Sequence, residues 1–301
     1  MQSGEPSRTA FGAAFHRAAH QVVEDGRIFA DPLALRILGM DAAAVREELE
    51  WRQSGARLRL FIAARTRFAE DSLSAAFEQG VSQLVVLGAG LDNYAYRGAL
   101  RDRLHIFEVD HPATQAWKRQ RLDYAGIPLP PSLTFAPVDF ERQTLAGGLE
   151  AAGFDRTQPT FFTWLGVVPY LTSDAVWSTL GFIAGLPKGA HVVFDYPDPP
   201  DSLSPEMRSR HDRRAARVAG LGEPWRTYFE PSELHARLRG AGFSNLEDLG
   251  PPEIAARFFP GGAEVSSRGG HLIRAATGLN HASQPAQFAS SGRNSPHSVA
   301  L

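Results

Sequence analysis

The chain has 301 residues, of which 43% are hydrophobic and 21% charged, with a formal net charge of −2 and no cysteine. That length suits one large α/β domain or two small ones, the charge gives no electrostatic case for nucleic acid or an anionic membrane, and the lack of cysteine excludes disulfides and thiol chemistry. No apolar run approaches the ~18 residues of a membrane span and no signal-peptide core is present, so the expectation is a soluble, cytoplasmic protein.

Residues 1–7 are polar. From Thr9, residues Ala10, Phe11, Ala14, Phe15 and Ala18 recur at helical spacing, which predicts an amphipathic helix over 9–24. His16 and His20 fall one turn apart on one face. With no third ligand nearby they read as a solvated or substrate-facing side rather than a metal site. Two short helices are expected at 32–38 and 42–51. A longer one is expected at 55–77, with Leu58, Ile62, Phe68 and Leu73 as core contacts.

Residues 84–87 are a continuous apolar run, the pattern of a buried strand at about 83–87, and Gly88 and Gly90 end it. Glycine has no Cβ, so backbone here can approach a ligand closely. A helix should begin in 91–97. A second strand at 104–109 runs into Glu108–Val109–Asp110. An acidic residue this far beyond a glycine turn suits a ribose, whose two hydroxyls a carboxylate can accept, so the ligand implied is a nucleoside. Asn93 stands where the dinucleotide fingerprint has its third glycine, which weakens the case for a pyrophosphate.

A helix with Pro112 in its first turn, where the missing N–H costs nothing, should cover 112–124. Strands are expected at 133–138, 160–164 and 191–196, the first closed by Asp139–Phe140 and the last ending at Asp195 and Tyr196. Helices are expected at 173–186, 207–219 and 233–241, the second arginine-rich and read as a solvated face. Residues 244–249 and 271–276 read as two late strands, 250–270 is poorly specified, and 279–301 reads as a disordered tail. Apolar strands alternating with helices predict an α/β, doubly wound, mostly parallel sheet.

Leu87–Gly88–Ala89–Gly90–Leu91–Asp92, then Ala95–Tyr96–Arg97, then Phe107–Glu108–Val109–Asp110–His111–Pro112, together resemble the leucine carboxyl methyltransferase family, in its bacterial S-adenosylmethionine-dependent branch. Thr9–Ala10, Arg17–Ala18 and Asp31–Pro32–Leu33–Ala34 resemble its N-terminal region. The resemblance implies a seven-stranded, Rossmann-like class I methyltransferase fold with an N-terminal helical lid. The domains would be a lid region at 1–80, an S-adenosylmethionine-binding domain at 81–278 and the tail.

It further implies Arg65, with Arg67 second, against the carboxylate of the cofactor's methionine moiety. Gly88, Gly90 and Asp110 would sit at the nucleoside, and Asp139 and Phe140 at the adenine. The alternative for Arg65 is a surface arginine, and for Asp139 a cap on the helix near Thr144. Leu165 departs from the family's Trp-Glu-Gly segment, and Tyr170 suits either a pocket wall or the core. The expected cofactor is S-adenosyl-L-methionine, with no metal. The expected reaction is O-methyl transfer to a carboxylate or hydroxyl of a small molecule, secondary metabolites being among the candidates. The alternatives are an NAD(P)-dependent oxidoreductase and a non-catalytic nucleoside-binding relative. No catalytic residue is assigned; His16 and His20 are the base candidates.

Overall fold

The computed structural model describes residues 7–52, 55–139, 142–259 and 266–278. Four helices come first: α1 (Arg8–Val23), α2 (Ala34–Leu38), α3 (Ala42–Arg52) and α4 (Ala56–Phe77). Strands then alternate with helices through β1 (Gln83–Leu87), α5 (Tyr94–Arg97), β2 (His105–Asp110), α6 (Pro112–Tyr124), β3 (Leu133–Pro137), α7 (Leu145–Ala151), β4 (Thr160–Trp164), α8 (Ser173–Ala184) and β5 (Ala190–Pro197). The chain continues through α9 (Pro205–Gly220), α10 (Pro231–Gly240), β6 (Phe243–Leu249), α11 (Pro251–Phe258) and β7 (Gly270–Thr277). Phe140 and the expected tail at 279–301 lie outside the described residues.

Local chemistry accounts for the helix starts. Ser7 caps α1 by accepting the Ala10 N–H, Thr144 caps α7 by accepting the Gly147 N–H, and Thr172 caps α8 by accepting the Ala175 N–H. The helix expected from Leu91 starts only at Tyr94, whose N–H is taken by the Asp92 side chain, and it lasts four residues. The unspecified stretch 250–270 contains α11, opened by Pro251 in its first turn.

All seven strands form one sheet in the order β3-β2-β1-β4-β5-β7-β6. The first five are mutually parallel, and β7 runs antiparallel to both β5 and β6. Alternate strand residues face opposite sides, and both sides are buried. Leu84, Val86, Ile106, Phe161 and Val193 join one apolar cluster with residues of α1, α4 and α6. Val85, Leu87, Phe107, Val109, Phe162 and Val192 join another with residues of α7, α8 and α10. The expected doubly wound, mostly parallel sheet is therefore present.

The strand order reverses between β1 and β4, and at such a switch point the loops leaving the carboxyl ends of the strands part to leave a crevice. The turns after β1 and β4 flank it.

Helix α1 is more deeply built in than its sequence suggests. It packs on α2, α3 and α4, and Ala14, Phe15, Ala18 and Ala19 are buried. His16 and His20 are buried too, which corrects the solvated reading of that face. Spacing put both histidines on one side of the helix, but it could not show that further helices cover that side.

Candidate functional site

The turn after β1 holds Gly88 at φ +64° and Gly90 at φ +47°, in the left-handed region that favours glycine. A Cβ on Gly88 would lie 2.4 Å from Val167 Cγ2, and one on Gly90 would lie 3.0 Å from Ala10 Cβ. The turn is thus pressed between the segment after β4 and the first turn of α1. The N–H groups of Gly88 and Ala89 donate to the Val109 carbonyl at 2.8 and 3.1 Å. Asp110, the last residue of β2, closes the arrangement. Its Oδ2 accepts the Gly90 N–H at 2.6 Å and its Oδ1 accepts the His111 N–H at 2.7 Å. Burial raises the Asp110 pKa, and these two N–H donors hold it back. Each carboxylate oxygen keeps a lone pair for a further donor.

Glu108, two residues earlier, points to the same face of β2 and is fully buried. Lys118 Nζ lies 2.6 Å from Glu108 Oε2, and the Tyr96 hydroxyl donates to the same oxygen at 3.4 Å. Burial raises the Glu108 pKa and Lys118 pulls it back, leaving it pushed up to about 7. The pair links α6 to β2 directly below Asp110.

The other side of the crevice is built from β4, β5 and α4. Asp195 falls on the same face of β5 as Val193, the face that α4 covers. Its Oδ2 accepts from Arg65 Nη1 at 3.0 Å and its Oδ1 from the Gly166 N–H. Gly166 sits at φ +72°, and a Cβ there would be 2.7 Å from Arg65 Nη2. Arg65 is therefore a buried arginine locked at the end of β4, and the surface alternative falls. Its Nε is buried with no hydrogen-bond partner among the described residues. Arg67, the second candidate, is exposed and pairs with Asp71 one turn on, away from the site. Tyr170 is half-buried, which disfavours the core reading. Tyr196 turns to the opposite face and donates to Asp248.

Asp139 follows β3 at the same edge, where the Val138 N–H donates to the Asp110 carbonyl at 2.9 Å. Its carboxylate lies 3.6 Å from Arg142 Nε. Thr144 provides the α7 cap, so Asp139 is free of that duty.

Sequence reasoning missed the residues that fasten α1. Asp31 is buried, with Arg17 at 3.7 Å, Arg97 at 3.3 Å and Asn93 Nδ2 donating at 3.0 Å. Arg17 also donates to the Leu91 carbonyl within the glycine loop. Asn93, noted only as a missing glycine, thus anchors the N-terminal region to that loop. Ahead of these, the Ser7 N–H donates to Thr114 Oγ1 at 3.3 Å and the Thr9 N–H to Glu223 Oε2 at 3.1 Å. The tip of α1 so spans from α6 to the loop after α9. His20 is engaged at both ring nitrogens: Nδ1 with Glu24 at 3.0 Å, and Nε2 accepting the Ile28 N–H at 3.3 Å. It is withdrawn as a base candidate. The one signal for the Asp31 hub was the Asp31–Pro32–Leu33–Ala34 segment itself.

The leucine carboxyl methyltransferase profile matches residues 10–184, more than half of the chain. The chain belongs to this family. A Bacillus subtilis (strain 168) member, YktD, described as a candidate S-adenosyl-L-methionine-dependent methyltransferase, is 35% identical over 198 residues, 65% of each chain. A Mycobacterium avium (strain 104) relative of the same description is 31% identical over 264 residues, 81% of this chain and 78% of its own. The match spans just under two thirds of YktD and about half, 52%, of a Mycobacterium sp. (strain JLS) relative. The crystal structure of a candidate methyltransferase from Thermobifida fusca YX superposes with a TM-score of 0.55 at 17% identity, covering 92% of this chain and 96% of its own. That likeness establishes the shared fold.

Proposed function

We propose that the protein is an S-adenosylmethionine-dependent O-methyltransferase acting on a carboxylate or hydroxyl of a small molecule. The observation that carries the reading is Asp110 gripping the Gly90 N–H on the β1–β2 side of the crevice, in a member of this family. The residues present suit the cofactor. Asp110 keeps carboxylate lone pairs beyond the Gly90 and His111 N–H groups, and Arg65 offers a buried Nε without a partner among the described residues. In this reading Asp110 accepts the ribose hydroxyls, Asp139 accepts the adenine amine with Phe140 beside the ring, and Arg65 faces the methionine carboxylate. Residues 1–80 act as the cover and 81–278 as the binding unit.

When bound, S-adenosylmethionine supplies an electrophilic methyl group. The protein's own work is to hold the acceptor oxygen in line with it and to exclude water. A carboxylate acceptor, with a pKa of about 4, is ionised at neutral pH and needs no base. A phenol, with a pKa of about 10, would benefit from a base. The test is calorimetry with S-adenosylhomocysteine and, separately, NAD. Micromolar binding of the first alone is expected. Binding of NAD in place of S-adenosylhomocysteine would replace this reading with the oxidoreductase.

A further inference from the structure

Asp31 lies in the link between α1 and α2, and its side chain has no exposed surface. Gln21 fixes its backbone to α1. The Gln21 Oε1 accepts the Asp31 N–H at 2.9 Å, while its amide donates to the Arg17 and Phe29 carbonyls at 3.2 and 2.9 Å. The Asp31 carboxylate then reaches in two directions. Oδ2 accepts from Asn93 Nδ2 at 3.0 Å and lies 3.7 Å from Arg17 Nε. Oδ1 accepts the Leu33 N–H at 3.0 Å and lies 3.3 Å from Arg97 Nε.

These partners bracket the segment that leaves the glycine turn. Arg17 donates to the Leu91 carbonyl, Asn93 follows two residues later, and Arg97 ends α5. Between them, the Asp92 N–H donates to the Ala89 carbonyl at 2.7 Å, and the Asp92 side chain accepts the Tyr94 N–H at 2.8 Å. Arg97 is held in turn by Glu70 of α4 through both terminal nitrogens. One carboxylate thus serves both ends of 91–97, the segment next to the Gly90 N–H that Asp110 accepts.

The charges close among themselves, Arg17 and Arg97 against Asp31 and Glu70, so the cluster is complete without a ligand. Fastening α1 does not explain it either. Replacing buried ion pairs by apolar residues of similar volume is often neutral or stabilising. What charged, hydrogen-bonded groups add is direction, because each bond fixes a distance and an angle. Arg59 and Glu24 give the contrast. They form another buried pair between α4 and the end of α1, with Arg59 Nε donating to both carboxylate oxygens at 3.0 and 2.9 Å. Their described bonds stop short of the glycine turn.

We propose that Asp31 is a positioning residue for the cofactor's nucleoside. Through Arg17 and Asn93 it sets the segment from Leu91 to Asn93, and with it the angle at which Gly90 meets Asp110, without touching the ligand. This rests on the methyltransferase reading and adds to its cofactor site a residue from the N-terminal region.

The test is calorimetry on the full chain with S-adenosylhomocysteine and, separately, adenosine, alongside the melting temperature of each protein. The proteins are wild type, Asp31→Asn, Asn93→Ala and Arg59→Gln. Asp31→Asn keeps the shape and removes the charge, Asn93→Ala removes one neutral hydrogen bond, and Arg59→Gln loosens α1 from α4 at its far end. A fastening role alone would make affinity follow melting temperature in all three. The positioning role expects binding about tenfold weaker in Asp31→Asn and about threefold weaker in Asn93→Ala, while Arg59→Gln melts lower yet stays within about twofold of wild type. Adenosine lacks the methionine moiety, so an equal loss for both ligands locates the effect at the nucleoside. Unchanged affinity in Asp31→Asn, or an equal loss in Arg59→Gln, overturns the proposal. So does a loss confined to S-adenosylhomocysteine, which moves the effect to the methionine end. If Asp31→Asn does not fold, Asn93→Ala against Arg59→Gln decides by the same criteria. Failure of the wild type to bind S-adenosylhomocysteine brings down the methyltransferase reading instead.

Discussion

The two sides of the crevice are made differently. On the side of β1, β2 and β3, the chain presents its candidate site groups from adjacent residues. Gly88 to Asn93 form one turn, Asp110 and His111 the next, and backbone N–H groups fix the carboxylate. On the side of β4 and β5, side chains come from distant elements. Arg65 arrives from α4 to meet Asp195, 130 positions on, and the Gly166 N–H from the end of β4 joins them. A backbone-fixed site resists substitution, because most side-chain changes leave it standing. A site assembled from reaching side chains can change its ligand by single substitutions.

The largest test of the comparison concerns the support under Asp110. Lys118→Met leaves Glu108 buried without its cation, and breaking a buried pair in this way costs about 3–5 kcal/mol. Denaturant unfolding should show that loss, and the double variant with Glu108→Gln should recover much of it. A loss below about 1 kcal/mol would mean that water reaches the pair.

The other side should show its character in pH dependence. His271 on β7 lies 3.2 Å from Asp248 on β6 and 3.3 Å from Asp198 after β5. Burial alone would lower its pKa, but the hydrogen bonds to the two carboxylates outweigh that and push it up to about 9. Because the folded value exceeds the ordinary 6.5, the contribution is complete below pH 6.5 and is lost as pH rises towards 9. Up to roughly 3 kcal/mol is at stake. Unfolding curves from pH 6 to 9.5 should fall across that window in wild type and flatten in His271→Gln. A curve equally steep in the variant would remove the histidine from the account.

Smaller effects sharpen the picture of the cofactor side. Asp110→Ala removes a charged acceptor and frees the glycine turn, so S-adenosylhomocysteine affinity should fall about tenfold or more, or roughly 1.5–3 kcal/mol. Unchanged affinity by calorimetry would put the ribose elsewhere. Asp139→Ala should do least. Its carboxylate is partly exposed beside an 84% exposed Arg142, so the melting temperature should hold while affinity drops severalfold. A fall in melting temperature of several degrees would assign Asp139 to the fold instead.

The sheet was legible because parallel strands buried on both faces read as unbroken apolar runs, and the residues that punctuate them act locally. Gly88, Gly90 and Asp110 could be picked out for that reason, and the structure brings them together. Arg65 was found through the family resemblance, but its partner Asp195 was not, since a pairing across the sheet leaves no trace in local spacing. The burial of His16 and His20 was hidden for a related reason. Amphipathic patterning marks the apolar side of α1 and is silent on polar residues that find partners inside, as His20 does with Glu24.

The attachment of α1 has a kinetic corollary. Its middle carries Phe15, Ala18 and Ala19, all fully enclosed, so swinging the whole helix would open the core. Its first turn carries the Ser7 and Thr9 N–H bonds to distant elements and the touch of Ala10 on Gly90. Helix ends fray at small cost, whereas core segments open only at a cost approaching global unfolding. Amide exchange is therefore expected to be faster at residues 8–10 than at Ala18 and Ala19, so that this end of the helix opens without the rest.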